Sequence, residues 1–346
     1  MVNKVLHVGL YRGINSFGGV VNYTNIFINN FSSKAFQLFY FSNGKSPNWY
    51  RGNYKPTRIS FYLNQIYRLF LFTSIIFDKK ISIVHLHSGL SKRSLLREGL
   101  FSLIAKFLNK KTVFFIHGWK DEQFDWNSHS PLGLFLLIFN KQDKIIVLSK
   151  EFKTKLILAG VHKENISVSS TMVESKDYQS DKKVSSSYSL LFCASLFKKK
   201  GAHILLEAFD RIQKKRDDVT LDIIGHGPEK FFLETKFADI INNGKLKFHG
   251  YVSDSVKKKL FAKTDVFVYP SYYGEGFPTV IIEAMCSGNA IITTPVGGLA
   301  DAIKDGINGL VLETSPPRVS EVHDKILSLI DDESFLTTVN SFKAKL

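Results

Sequence analysis

Residues 272–285 read YYGEGFPTVIIEAM and place two carboxylates, Glu275 and Glu283, on either side of a Gly-Phe-Pro turn. Glu283 falls between Ile281-Ile282 and Ala284-Met285, where a carboxylate is costly to desolvate unless it finds partners. Pro278 suits the first position of a helix, because the N–H it lacks would have no acceptor there. The free amides of Thr279 and Val280 then point out of the helix end, with the positive end of the dipole behind them, which makes an anion site. Gly274 and Gly276 let the loop that carries Glu275 approach a ligand closely. Glu283 lies about 7–8 Å further along the helix. Two acids flanking a phosphate would repel it, unless they accept hydrogen bonds from neutral hydroxyls. Sugars supply those, so the spacing asks for a ribose-diphosphate-hexose ligand.

Other segments carry weaker signals. In LFKKKGAHILLEAF, Lys198, Lys199 and Lys200 precede Gly201 and a helix start, where a lysine can meet a diphosphate as a point charge. A solvated lysine loop explains the same run when it is read alone. Gly225 and Gly227 in GHGPE follow an apolar strand, yet Pro-Glu replaces the end of a dinucleotide fingerprint. The early loop LYRGINSFGGVVNY has Gly9, Gly13, Gly18 and Gly19, which also miss G-x-G-x-x-G, so nicotinamide-dinucleotide binding loses its main sign. Gly18-Gly19 could face a phosphate or sugar at a helix start, or serve only backbone shape. His85, His87 and His117 end two apolar strands. His85 and His87 share a face at the strand period, but no third ligand is identifiable, so no metal is assigned.

These residues need rigid strand ends to hold them. KVLHVGL, QLFYFS, ISIVHLH, TVFFIHG and KIIVLS read as strands alternating with helices such as GGVVNYTNIFINNF and SLLREGLFSLIAKFLN. After the serine-rich stretch ESKDYQSDKKVSSSYS (174–189), read as a linker, the pattern restarts with LLFCASL, TLDIIG, KLKFHG, DVFVYPS, AIITTPV and GLVLE. Continuous apolar strands alternating with helices predict parallel sheets covered on both faces. At 346 residues two domains are expected, 1–180 and 181–346, each doubly wound, facing one another across a cleft.

Charge is uneven. Residues 1–180 hold 24 Lys+Arg against 10 Asp+Glu, while the remainder holds 22 against 21, so nearly all of the net +15 sits in the first half. That suggests an anionic partner. No aromatic-basic platform or reading helix points to nucleic acid. Ile59–Phe77 is 19 residues with one charge, Arg68; its polar residues argue against a membrane span. An amphipathic helix on an anionic bilayer and a helix packed inside the first domain are both open, and the charge favours the former. Two cysteines, Cys193 and Cys286, lie in apolar runs without metal-ligand spacing, and the amino terminus lacks a signal-peptide pattern. A cytoplasmic protein is expected, peripheral on the inner face of the plasma membrane.

The stretch from DVFVYPSYYGEGFPTVIIEAM to GINGLVL strongly resembles the carboxyl-terminal domain of the family 4 retaining glycosyltransferases, which have the GT-B fold. Glu275 to Glu283 matches the E-x7-E motif of that family. KKGAHILLEAF resembles its lysine-glycine segment, LDIIGHGPE its glycine loop, and KFHGYVSD the strand and turn near the base; SFGGVVNY and FIHG match elements of the first domain. The resemblance implies a retaining hexosyl transfer from a UDP- or GDP-linked sugar, without a metal. It implies that Glu283 holds the ribose hydroxyls, Glu275 the donor sugar, and Lys200 the diphosphate. Gly18 and Gly19 would face the phosphate or sugar, and His117 would bind the sugar. Gly225, Gly227 and Tyr251 would stand near the nucleotide, with Gly276, Phe277, Pro278, Thr279 and Val280 forming the phosphate cradle.

Two positions depart from the family. Ala194-Ser195-Leu196 stands where it has Gly-Arg-Leu, which puts Ser195 in place of a diphosphate-binding arginine. LTTVNSFKAKL reads as a shortened terminal crossover helix. The acceptor implied is a phosphate-bearing, lipid-linked or glycan molecule used in O-antigen, capsule, lipopolysaccharide or exopolysaccharide synthesis. A sugar-nucleotide epimerase and a catalytically weak binding subunit are the alternatives at this stage.

Overall fold

The computed structural model of the protein describes residues 3–9, 19–42, 58–89, 92–118, 138–178, 187–274, 276–332 and 334. The chain forms two compact units, residues 1–172 with 274–277, and residues 173–273 with 278–346.

The first unit has a six-stranded sheet of β1 (Asn3–Gly9), β2 (Phe36–Ser42), β3 (Ile81–Gly89), β4 (Lys111–Gly118), β5 (Lys144–Val147) and β6 (Ile166–Val168), in the order β2-β1-β3-β4-β5-β6. All these pairings are parallel. Helices α1 (Gly19–Asn30), α2 (Arg58–Ile76), α3 (Lys92–Phe107) and α4 (Lys150–Leu158) accompany it. One face of the central strands buries Leu6, Val8, Val84, Leu86, Phe114 and Ile116 against Phe72 and Ile76 of α2 and Phe101 and Ala105 of α3. The alternate residues, His7, His85, His87 and Phe115, occupy the other face, where their rings meet Tyr23 and Phe27 of α1.

Helix α2 takes up most of segment 59–77 and packs one face inside the first unit. Phe72 and Ile76 are fully buried, while Tyr62, Leu63, Ile66, Tyr67 and Phe70 are exposed. Spacings of three and four residues put these last on one face. Arg68 donates to the Ser42 carbonyl and to Asn64. No helix among the described residues is long and apolar enough to cross a membrane.

The second unit repeats the plan. Strands β7 (Tyr188–Cys193), β8 (Val219–Ile224), β9 (Leu246–Gly250), β10 (Val266–Tyr269), β11 (Ala290–Thr293) and β12 (Leu310–Val311) make a parallel sheet in the order β12-β11-β10-β7-β8-β9. Helix α5 (Ala202–Gln213) places Ile204, Leu205, Ala208, Phe209 and Ile212 in the core with Val322, Ile326 and Leu329 of the later helix Val319–Ile330; α6 (Lys230–Lys236) and α7 (Ala238–Asn242) follow β8, and α8 (Asp254–Lys263) follows β9. The chain winds from β7 outward to β9, then returns to lay β10 on the other side of β7. Ligands of open α/β sheets bind beyond the carboxyl ends of the strands at such a reversal. Tyr178 belongs to this unit although it lies in the stretch read as a linker. It is buried, edge-on to Phe261, and its neighbour Asp177 pairs with Lys258 at 2.8 Å.

Candidate functional site

The reversal between β7 and β10 gathers the donor residues expected in the second unit. Ser195 and Lys200 follow β7, Gly225 and Gly227 follow β8, Tyr251 follows β9, and Thr279, Val280 and Glu283 lie on α9 (Thr279–Cys286) after β10. Pro278 is the capping residue of α9 rather than its first helical residue, because its ψ of 122° is extended. The amides of Thr279 and Val280 still open the helix, where no carbonyl one turn back can accept from them.

Backbone geometry fixes the glycine loop. Gly225 has φ +145°, and a Cβ there would stand 1.8 Å from the Ala194 carbonyl oxygen. A side chain at Gly227 would meet the Leu196 carbonyl at 2.5 Å. Hydrogen bonds from Leu196 N to His226 O and from Glu229 N to Leu196 O lace the two loops together. Only glycine permits this approach. Tyr251 is largely exposed and stacks on His226 with ring centroids 5.4 Å apart. Ser195 is exposed in the same loop cluster.

Lys200 enters from a short 3-10 turn, Lys198–Lys200, that ends at Gly201 in the left-handed region. Its Nζ lies 3.3 Å from the Tyr269 hydroxyl and 4.9 Å from the centre of the Tyr273 ring. Burial pushes its pKa down to about 8, since the charged form loses more hydration than the neutral one.

Glu283 is 1% exposed, and its Oε1 pairs with Lys257 Nζ at 2.8 Å. Oε2 is buried without a hydrogen-bond partner. The Tyr178 hydroxyl lies beside the same carboxylate; burial first, and then Glu283, push its pKa up. The Cys193 thiol is pushed up to about 12, chiefly by burial and then by Glu283. Burial would lower Lys257, but Glu283 outweighs it and the ammonium is held above its ordinary range.

The remaining expected residues belong to the first unit or fall outside the description. Glu275 and Gly18 lie outside the described residues, and Gly19 opens α1. Gly276 is buried where a Cβ would stand 2.3 Å from the His117 carbonyl oxygen. Phe277 packs with Tyr23, Phe115 and Leu148. His117 is the last residue but one of β4, with its Nε2 2.6 Å from His87 Nδ1. Burial pushes His117 down to about 3, so its ring is neutral.

Residues 174–344 match the family described as Glycosyl transferases group 1. The carboxyl-terminal half of the chain belongs to that family. An uncharacterized glycosyltransferase of Methanocaldococcus jannaschii is 26% identical over 286 residues, which are 80% of this chain and 66% of that protein. The capsular polysaccharide biosynthesis glycosyltransferase CapM of Staphylococcus aureus is 28% identical over 262 residues, 70% of this chain and 67% of CapM. The chain thus spans about two thirds of the length of these curated relatives. The structure of Anabaena HepE in complex with UDP and glucose superposes with a TM-score of 0.72 at 19% identity, over 98% of this chain and 93% of HepE. At that identity the likeness carries the fold, which is the GT-B type expected from the sequence.

In this group 1 glycosyl transferase domain, two polar partners of Glu283 escape the sequence. Lys257 sits in the lysine run VSDSVKKKLF, where nothing sets it apart from Lys258 and Lys259. Tyr178 sits in a polar stretch whose composition speaks for a linker. The apolar flanks of Glu283 were the available signal, since they demand a buried counter-charge without naming it.

Proposed function

We propose that the chain is a retaining glycosyltransferase that moves a sugar from a UDP- or GDP-linked donor to a phosphate-bearing, lipid-linked or glycan acceptor, in building a cell-surface polysaccharide. One observation carries the reading: Lys200, the opening of α9 and the buried Glu283 share the carboxyl end of β7 and β10. Glu283 would take the ribose hydroxyls. The amides of Thr279 and Val280 would hold the diphosphate, and the stacked pair Tyr251–His226 would flank the base. Lys200 and the helix end supply positive charge where the bond from the anomeric carbon to the diphosphate breaks, which is the charge that grows in the transition state. Lys198 and Lys199 stand two residues or less from Lys200 and offer the charge that Ser195 does not. Glu275 would bind the donor sugar and His117 would position it. The names of CapM and of the HepE complex with UDP and glucose support this substrate class.

The exposed apolar face of α2 and the basic first half fit a peripheral position on an anionic membrane surface, on the cytoplasmic side. The deciding experiment is a thermal-shift screen against a panel of nucleotide sugars, followed by assays of donor hydrolysis and transfer to acceptor fractions. Glu275→Ala and Lys200→Ala serve as controls. The expected result is stabilisation by one nucleotide class and turnover that both variants abolish. Binding without hydrolysis or transfer to any acceptor fraction would overturn the enzyme reading in favour of a binding subunit. Conversion of the donor alone to an epimer would favour an epimerase.

A further inference from the structure

The second face of the first sheet carries a cluster that the donor chemistry does not use. His7 on β1 pairs in register with His85 on β3, and His87 follows two residues later on the same face. One ring nitrogen of each of the three lies within 4.8 Å of the others. The rings of His7 and His87 are 4.2 Å apart between centroids, and those of His85 and His87 are 4.3 Å apart. Nε2 of His85 and Nε2 of His87 are buried with no hydrogen-bond partner. Buried imidazole nitrogens in native structures are normally paired, so two left without a partner on neighbouring rings of one cluster need an explanation.

We propose that His7, His85 and His87 form a binding site for a divalent transition-metal ion of the zinc class. Three imidazole nitrogens suit that class, with a fourth position left for a water or other small ligand. Nitrogens bound to one tetrahedral ion stand about 3.3 Å apart, so the rings close by rotation within the face they already share. A cavity of about 460 Å³, lined by Val5, Phe31, Ile83 and His85 among others, opens beside the cluster and gives the ion a path in.

Metal binding has a consequence at His117. An ion on His87 Nε2 leaves the ring proton on Nδ1, which then donates across the 2.6 Å contact to His117 Nε2. His117 must in turn carry its own proton on Nδ1. The ion would act as a positioning element by selecting one tautomer of a ring in its outer shell.

The test uses the full chain, stripped with a chelator and titrated with Co2+ alone. The expected result is one equivalent bound, with the visible absorption bands of low-coordinate cobalt, and displacement by Zn2+. His85→Phe and His87→Phe keep an aromatic ring in the packing and should lose both bands and equivalent, while His162→Ala and His323→Ala, both outside the cluster, keep them. Nitrogen-15 spectra of His117 should move to the Nδ1-protonated pattern when Zn2+ is added. Less than about a tenth of an equivalent of Co2+ in excess metal overturns the proposal. So does retention of the bands in a folded His85→Phe chain. If neither Phe variant folds, the Co2+ titration of the unaltered chain decides alone.

Discussion

Among the described residues, Lys257 is the one cation bonded to the Glu283 carboxylate, which is 1% exposed, and truncating it to Met would leave that charge buried without its partner. Lys257→Met should lower unfolding free energy by about 3 kcal/mol, with Glu283→Gln in the same chain recovering most of the loss. Urea midpoints of the two single variants and the double variant measure the coupling; additive losses would show that the pair contributes nothing specific. Lys200 gives a dependence on pH. Its pKa in the folded chain, about 8, lies below the ordinary lysine value of 10.5, so the unfolded chain binds more protons between those limits and Lys200 adds to stability as pH rises through them. A diphosphate favours the ammonium form and reverses the preference in the complex. Donor affinity should therefore fall above pH 8, by up to about tenfold per pH unit, and titration calorimetry at pH 8.5 should register proton uptake. In Lys200→Met both effects should vanish. Legibility at this scale was uneven. Glu283 announced itself by apolar neighbours at adjacent positions, whereas Lys257 and Tyr178 reach it across 26 and 105 residues of chain, through packing that no local pattern records.

Among the elements, the strands were readable because most are continuous apolar runs, buried on both faces. ISIVHLH and TVFFIHG became β3 and β4 with little change of bounds, while AIITTPV kept only Ala290–Thr293 as β11. Ile166–Val168 was missed, since three residues between polar neighbours carry no period. The histidine cluster shows the same boundary: His85 and His87 were seen to share a face, but His7 joins them through the register of β1 on β3, which a single strand cannot specify. Helix α2 is the element with the clearest external consequence. Ile66 and Phe70 are 64% and 69% exposed, so replacing both by Glu should leave the melting temperature within about 2 °C of the unaltered chain. The same change should reduce sedimentation with anionic vesicles several-fold. Undiminished sedimentation would remove α2 from the membrane reading.

The whole molecule divides its tasks. The described residues proposed to bind the donor at the β7–β10 reversal all belong to the second unit, while the charge excess belongs to the first half of the chain. Hydrogen exchange with and without UDP or GDP should show protection concentrated at 193–200, 225–229 and 279–283, with β1 to β6 unchanged. Protection centred on the first unit would remove the nucleotide from the place assigned to it. Vesicle binding, in contrast, should weaken as salt is raised, because surface charges are screened beyond about 8 Å at physiological ionic strength. The unpaired Oε2 of Glu283 has a consequence for nucleotide choice. In the proposed complex that oxygen finds its hydrogen-bond donor in a ribose hydroxyl. A 2′-deoxy donor that withholds it would leave a buried acceptor unmatched, at roughly 1–3 kcal/mol, or about one to two orders of magnitude in affinity. A single carboxylate oxygen would thereby sort ribonucleotide-linked sugars from deoxyribonucleotide-linked ones before the base is read at all.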